Sequence, residues 1–123
     1  IMRLKMKNTV IFDLDGTLAD IDIRRDKSLK PNGKLDWDIF AAPNSIMDWD
    51  KPNAPVIKMA QMFKADGFKI VIFSGRSKGT IHTTKSWLNK HKVPWSRLFM
   101  RPLKDFTPDD VLKKACRKST RFY

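Results

Sequence analysis

The sequence predicts an α/β domain on a parallel sheet, arranged in three layers with a small insertion after the first strand, and three observations carry that expectation. Two runs, Thr9 to Leu14 and Lys69 to Phe73, are apolar and β-branched without the polar alternation of a half-exposed strand, the pattern of strands buried on both faces of a parallel sheet. Stretches with helical spacing separate and follow these runs, giving the order β-α-β-α-β-α, which favours parallel strands joined by crossovers. The residues with chemistry to offer, Asp13, Ser74 and Arg101, fall at the carboxyl ends of strands, where ligands bind in such sheets.

The first strand leads into Asp13-Leu14-Asp15-Gly16. A period of two places Asp13 and Asp15 on one side of an extended chain and Phe12 and Leu14 on the other. Asp-Gly after a β-rich run is also a hairpin signal. Here no partner strand follows Thr17 at hairpin distance, and Asp13 interrupts the apolar face.

Residues 19–52 mix Asp20, Asp22, Arg24, Arg25 and several Pro and Gly with Trp37, Ile39, Phe40, Ile46, Met47 and Trp49. The stretch is too apolar for disorder and too broken for long elements, so a small lid or rim is expected. Trp37 and Trp49 can stack on a base at that rim, but the plainer expectation is that they form the lid's own small core.

Asn53 is placed to cap a helix with Val56, Met59, Ala60 and Phe63 on its inner face, ending near Gly67. Lys69 to Phe73 is the second strand. The next helix runs from about Thr80 to Lys90 with Ile81, Thr84, Trp87 and Leu88 on one side, and Arg97 to Met100 is a short third strand. Thr107-Pro108-Asp109-Asp110 has the cap, the proline and the first-turn charge of a helix start. His82 falls on an exposed helix position, and His91 at a helix end where the dipole favours a cation.

The 123 residues suit one small domain. No apolar run reaches the ~18 residues of a membrane span. A soluble, cytoplasmic protein with no membrane contact is therefore expected. The single Cys116 cannot form an internal disulfide. It lies in a basic tail, residues 115–123. All 13 acidic residues are Asp, so any carboxylate chemistry belongs to aspartate. The net charge of +12 is uneven: residues 1–73 hold 12 Lys/Arg against 10 Asp, whereas residues 74–123 hold 13 against 3. That asymmetry favours a polyanionic partner such as DNA or RNA, against the alternative of a solvated basic face.

Two carboxylates two residues apart at a strand end suit phosphoryl transfer: one can attack phosphorus while the other handles the leaving-group proton. Ser74-Gly75-Arg76, after the second strand, can hold phosphoryl oxygens with a hydroxyl, backbone N–H groups and a guanidinium. A lysine is expected to neutralise transition-state charge, with Lys104, Lys113 and Lys114 as candidates. Lys113 is preferred because it lies four residues after Asp109, on the same helix face.

Asp13 to Leu18 resembles motif I of the haloacid dehalogenase (HAD) superfamily of phosphohydrolases, and Ser74-Gly75-Arg76 resembles its motif II. Together with Arg24, Gly79-Thr80, Arg101 and the segment Asp105 to Lys113, the set is similar to the 3′-phosphatase domain of bacteriophage-type polynucleotide kinase/phosphatases across residues 9–114. The resemblance implies a Rossmann-like, HAD-like fold, with Asp13 as nucleophile, Asp15 as general acid/base and Lys113 as the motif III lysine. It implies that Thr17, Ser74, Gly75, Arg76 and Arg24 hold the phosphate, and that Mg²⁺ sits at Asp13, Asp15 and Asp109. The implied substrate is the 3′-phosphate end of DNA or RNA in a bacterial or phage-infected cell. Alternatives are a small-molecule phosphatase or 5′(3′)-nucleotidase, or a phosphate- or nucleic-acid-binding domain that turns over poorly.

The kinase of such enzymes needs Gly-x-x-x-x-Gly-Lys-Ser/Thr, and Gly75 to Thr80 lacks both the spacing and the lysine. The family's fourth motif, a strand ending in aspartates, has no counterpart after Lys113, since no acidic residue follows Asp110. The expected consequences are a metal site short of carboxylates and a first strand left as an open apolar edge, covered by the tail, a partner chain or self-association.

Overall fold

A computed structural model describes residues 8–102 together with Pro108, Asp110, Val111 and Lys114. Its element order is β1 (Thr9–Asp13), β2 (Ala19–Asp20), α1 (Asp22–Lys27), α2 (Trp37–Phe40), α3 (Pro43–Trp49), β3 (Lys51–Pro52), α4 (Ala54–Ala65), β4 (Lys69–Ser77), α5 (Ile81–Lys90) and β5 (Arg97–Arg101). The main sheet is β1-β4-β5, parallel at both pairings, with Asp13 opposite Phe73 and Phe73 opposite Phe99. The α/β class and the parallel sheet are as the sequence predicts.

β4 is the central strand, and its alternation explains its composition. Ile70 and Ile72 enter the main core with Phe12, Leu14, Leu18, Ile46, Ile57, Trp87 and Leu88. Val71 and Phe73 are buried too, on the opposite face by the strand's period, with Phe73 edge-on to Phe99 at 5.1 Å. β1 departs from the expectation of burial on both faces. Among the described residues it pairs only with β4, and Ile11 remains 37% exposed. An edge strand has neighbours on one side only, so an apolar run there stays partly in water.

The strand expected to end at Phe73 continues to Ser77 through an irregularity. Between the pairs Phe73↔Phe99 and Ser77↔Arg101, β4 carries three residues and β5 one, so Ser74, Gly75 and Arg76 bulge from the ladder.

α4 ends at a Schellman turn: Phe68 N donates to Phe63 O at 3.0 Å, Gly67 N donates to Lys64 O at 3.1 Å, and Gly67 has φ +89°. The two phenylalanines close the turn at 5.3 Å. Its inner face differs from expectation in two residues, Met59 and Ile57. Ile57 and Ala60 are buried whereas Met59 is 50% exposed, because a helix with only one packed side buries positions three apart. α5 follows a 3₁₀ turn, Lys78–Thr80, and buries Thr84, Trp87 and Leu88 as expected.

The insertion expected over residues 19–52 contains the β2/β3 ribbon and three short helices. Trp49 is half-buried, but Trp37 is 66% exposed, contrary to a place in a lid core. Trp37 and Phe40 lie three apart on one face of the four-residue α2; Phe40 is half-buried and packs on the core, while Trp37, one turn before it, meets solvent. His91 also differs: it stacks tilted on Trp87 at 4.5 Å, and burial, with Lys90 adding to it, pushes its pKa down, so the neutral ring is favoured there over a cation. No helix among the described residues is long and apolar enough to cross a membrane.

Candidate active site

β1 ends at Asp13, and the chain then winds around one carbonyl. Leu14 O accepts from Thr17 N at 3.2 Å and from Leu18 N and Ala19 N at 3.0 Å each, while Gly16 takes φ +81°, a conformation that favours glycine. Asp13 Oδ1 accepts from Leu14 N at 2.9 Å, which fixes an exposed carboxylate at the strand end. Leu14 and Leu18 are fully buried. The two aspartates thus project from a loop whose other side is anchored in the core.

Asn53 completes this anchor in a way its sequence position does not advertise. It occupies the N-cap position of α4, yet its side chain makes no capping bond. Instead Asn53 Nδ2 donates to Thr17 O at 2.8 Å and Asn53 N donates to Leu18 O at 2.9 Å. Asn53→Ala removes the first of these and is expected to lower stability by about 1 kcal/mol, the ordinary net worth of such a bond. Urea unfolding checks the loss; stability equal to wild type would show that the loop holds its shape unaided.

The bulge in β4 carries the second part of the site. Ser74 Oγ accepts from Arg76 N at 3.1 Å, and Gly75 O accepts from Arg101 Nε at 3.0 Å. Arg76 reaches Asp15 Oδ1 through Nε at 3.0 Å and through Nη2 at 2.5 Å, Asp50 Oδ2 through Nη2 at 2.9 Å, and Thr84 Oγ1 through Nη1 at 3.3 Å. Arg24, buried to 1% exposure, comes from α1 in the insertion. Its Nε donates to Asp50 Oδ1 at 2.7 Å and its Nη1 to Phe40 O at 2.8 Å, with the Phe40 ring 4.2 Å from its Cζ. Its Nη2 lies 3.6 Å from Asp15 Oδ1, buried and, among the described residues, without a hydrogen-bond partner.

The structure therefore brings Asp15, Arg24, Ser74, Gly75 and Arg76 together at the carboxyl end of the sheet, with Asp13 closing β1 and Thr17 on the loop that follows. Lys113, Asp109 and Lys104 lie outside the described residues. Of the predicted last helix, Asp110, Val111 and Lys114 are helical.

Asp50 is the residue that sequence reasoning missed. It is 4% exposed and holds both guanidiniums, and its main-chain oxygen accepts from Trp87 Nε1 at 3.2 Å. One faint signal exists: Asp50 lies four residues after Ile46, which α3 buries together with Ser45, and so shares that inward face. Burial pushes the Asp50 carboxyl above its ordinary pKa, against the pull of Arg24 and Arg76 in the other direction.

A Mg²⁺ ion asks for hard oxygen donors. The Asp13 carboxylate and the Asp15 main-chain carbonyl are of that type. Among the described residues no group of three or more His, Cys, Asp or Glu could hold a metal. That donor set still fits Mg²⁺, which keeps several waters and takes one or two carboxylates beside a substrate phosphate.

Residues 7–119 match the family described as polynucleotide kinase PNKP phosphatase domain. A chain in the structure of the Pnkp1/Rnl/Hen1 complex is similar to this one at 26% identity and TM-score 0.74, over 98% of this chain and 37% of that chain. A chain in the structure of the Pnkp1/Rnl/Hen1 RNA repair complex is similar at 30% identity and TM-score 0.70, over 93% of this chain and 32% of that chain. This chain thus spans about a third of the length of the chains it matches.

Proposed function

This chain belongs to the HAD-type phosphatase-domain family of polynucleotide kinase PNKP, and from that premise we propose that it is a Mg²⁺-dependent phosphomonoesterase that removes 3′-phosphate from nucleic acid ends. The observation that carries the reading is the buried Nη2 of Arg24, which among the described residues has no hydrogen-bond partner and faces, at 3.6 Å, the same Asp15 Oδ1 that Arg76 holds. Leaving a buried donor unsatisfied costs about 1–3 kcal/mol. A phosphoryl oxygen would relieve that cost, which makes the place a receptor for an oxyanion.

Asp13, exposed at the strand end, supplies the nucleophilic carboxylate: it attacks phosphorus and carries the phosphoryl group as an aspartyl-phosphate. Asp15 gives a proton to the departing 3′ oxygen and later takes one from the water that hydrolyses the intermediate. In the resting site Arg76 and Arg24 are turned on Asp15, so an arriving phosphate competes for the same guanidiniums and releases that carboxylate for proton transfer. Ser74, Gly75 and Thr17 bound the phosphate, and Lys113 adds positive charge. Bound Mg²⁺, held by Asp13, the Asp15 carbonyl and Asp109, would neutralise phosphoryl charge.

The basic composition supports a polynucleotide over a mononucleotide, and the RNA repair complex in which a similar chain occurs supports a nucleic acid end. The partly exposed β1 edge supports self-association, to be checked by sedimentation across a concentration series. The functional test is phosphate release from a 3′-phosphorylated oligonucleotide with Mg²⁺, set against a nucleoside 3′-phosphate. Preference for the oligonucleotide, weakening as salt rises, is expected. Equal rates on both at all salt concentrations would place the chain among small-molecule phosphatases.

A further inference from the structure

We propose that Trp37, at the tip of the insertion, is a stacking platform for an unpaired base of the substrate strand a few nucleotides from the end that enters the site. The proposal rests on the reading of the substrate as a polynucleotide. Trp37 is 66% exposed, and Leu29 and Ile39 of the same insertion are 48% and 40% exposed, so the insertion presents apolar side chains to solvent.

The indole is coupled to the site by a short series of contacts. It stands edge-on to Phe40 at 5.4 Å, the Phe40 ring lies 4.2 Å from Arg24 Cζ, and Arg24 Nη2 lies 3.6 Å from Asp15. The exposed ring is therefore within about 15 Å of the Asp15 carboxylate, the span of roughly four nucleotides at ~3.4 Å each. At 66% exposure, Trp37 keeps open surface beyond its contact with Phe40.

The surroundings select stacking over simple charge attraction. The exposed hairpin between α1 and α2 carries Lys30 and Lys34, and Lys27 precedes it; none is in an ion pair among the described residues. Asp26 and Asp38 share the surface, while the Asp36 carboxylate caps α2 by accepting from Asp38 N and Ile39 N. The charges largely cancel, so an aromatic face is the feature that remains for a base, and every base has a π-face to offer.

The test is binding of a 3′-phosphorylated single-stranded hexanucleotide, followed by fluorescence anisotropy without metal, beside inhibition of its binding by a nucleoside 3′-phosphate. Trp37→Ala is expected to weaken the hexanucleotide about tenfold and leave the nucleoside 3′-phosphate unchanged, with Trp37→Phe in between. The loss should persist as salt is raised, since stacking releases no counterions. Unchanged hexanucleotide affinity in Trp37→Ala overturns the proposal and leaves these apolar side chains to a protein partner; an equal loss on both ligands overturns it as well, by showing a disturbed site. If wild type binds hexanucleotide no better than the nucleoside 3′-phosphate, the polynucleotide reading itself fails, which is a different result from either.

Discussion

Asp13→Asn is expected to abolish phosphate release, lowering turnover by roughly 10⁴-fold or more while leaving the fold intact. The amide keeps the shape of the carboxylate and an oxygen that can accept from Leu14 N, as Asp13 Oδ1 does. What it loses is the negative oxygen that would bond to phosphorus. Thermal denaturation should therefore be close to wild type, and wild-type rates in this variant would sink the mechanism. Asp15→Asn separates the second role. If Asp15 protonates the leaving oxygen, its loss slows release from a 3′-phosphorylated oligonucleotide, whose alkoxide leaves poorly, far more than release from p-nitrophenyl phosphate, whose phenolate needs no proton. Equal slowing of both substrates would move Asp15 from acid/base chemistry to the placing of Arg76.

Asp50→Ala is expected to cost about 3–5 kcal/mol, a large share of the stability of a small domain. Asp50 is the counter-charge between two guanidiniums that are themselves 1% and 8% exposed. Removing it leaves Arg24 Nε without its partner and two buried positive charges to share the single carboxylate of Asp15. Urea unfolding checks the magnitude, and a loss below about 1 kcal/mol would mean that water enters and solvates the arginines. Asp50→Asn should cost less, because an amide still accepts one hydrogen bond and avoids the burial of a charge.

The pH dependence supplies a separate check on Asp50. Burial raises its carboxyl above the ordinary 3.8, so over that window the folded chain binds the proton more tightly than the unfolded chain. This group's contribution to stability is then present at acid pH and fades as pH rises through the elevated value. Asp50→Asn, which carries no titrating proton there, should lose that component of the slope in a series of melting temperatures.

The candidate site was legible in the sequence wherever it is local. That Asp13, Asp15, Ser74, Gly75 and Arg76 gather at the carboxyl ends of neighbouring strands follows from a strand period and a strand end written in consecutive residues, and the α/β class follows from the same periodicities. Arg24 was found through family likeness, and its burial against Asp50 and Phe40 could not be inferred from its neighbours. Asp50, Asn53 and Trp37 illustrate the limit. Each has an ordinary local reading, as a surface acid, a helix cap and a lid-core aromatic. Each is reassigned by a partner or an exposure that depends on residues far along the chain.

The sequence by itself determined the strands, the turn after Asp13 and the residue types that can handle a phosphate, because those follow from backbone period and side-chain chemistry over a few residues. Only the tertiary structure decided that the β4 bulge aims Arg76 at Asp15, and that one buried carboxylate holds two arginines drawn from separate elements. Those outcomes depend on which surfaces meet once the core forms, and pairings across 26 and 61 residues leave no period in the sequence to read.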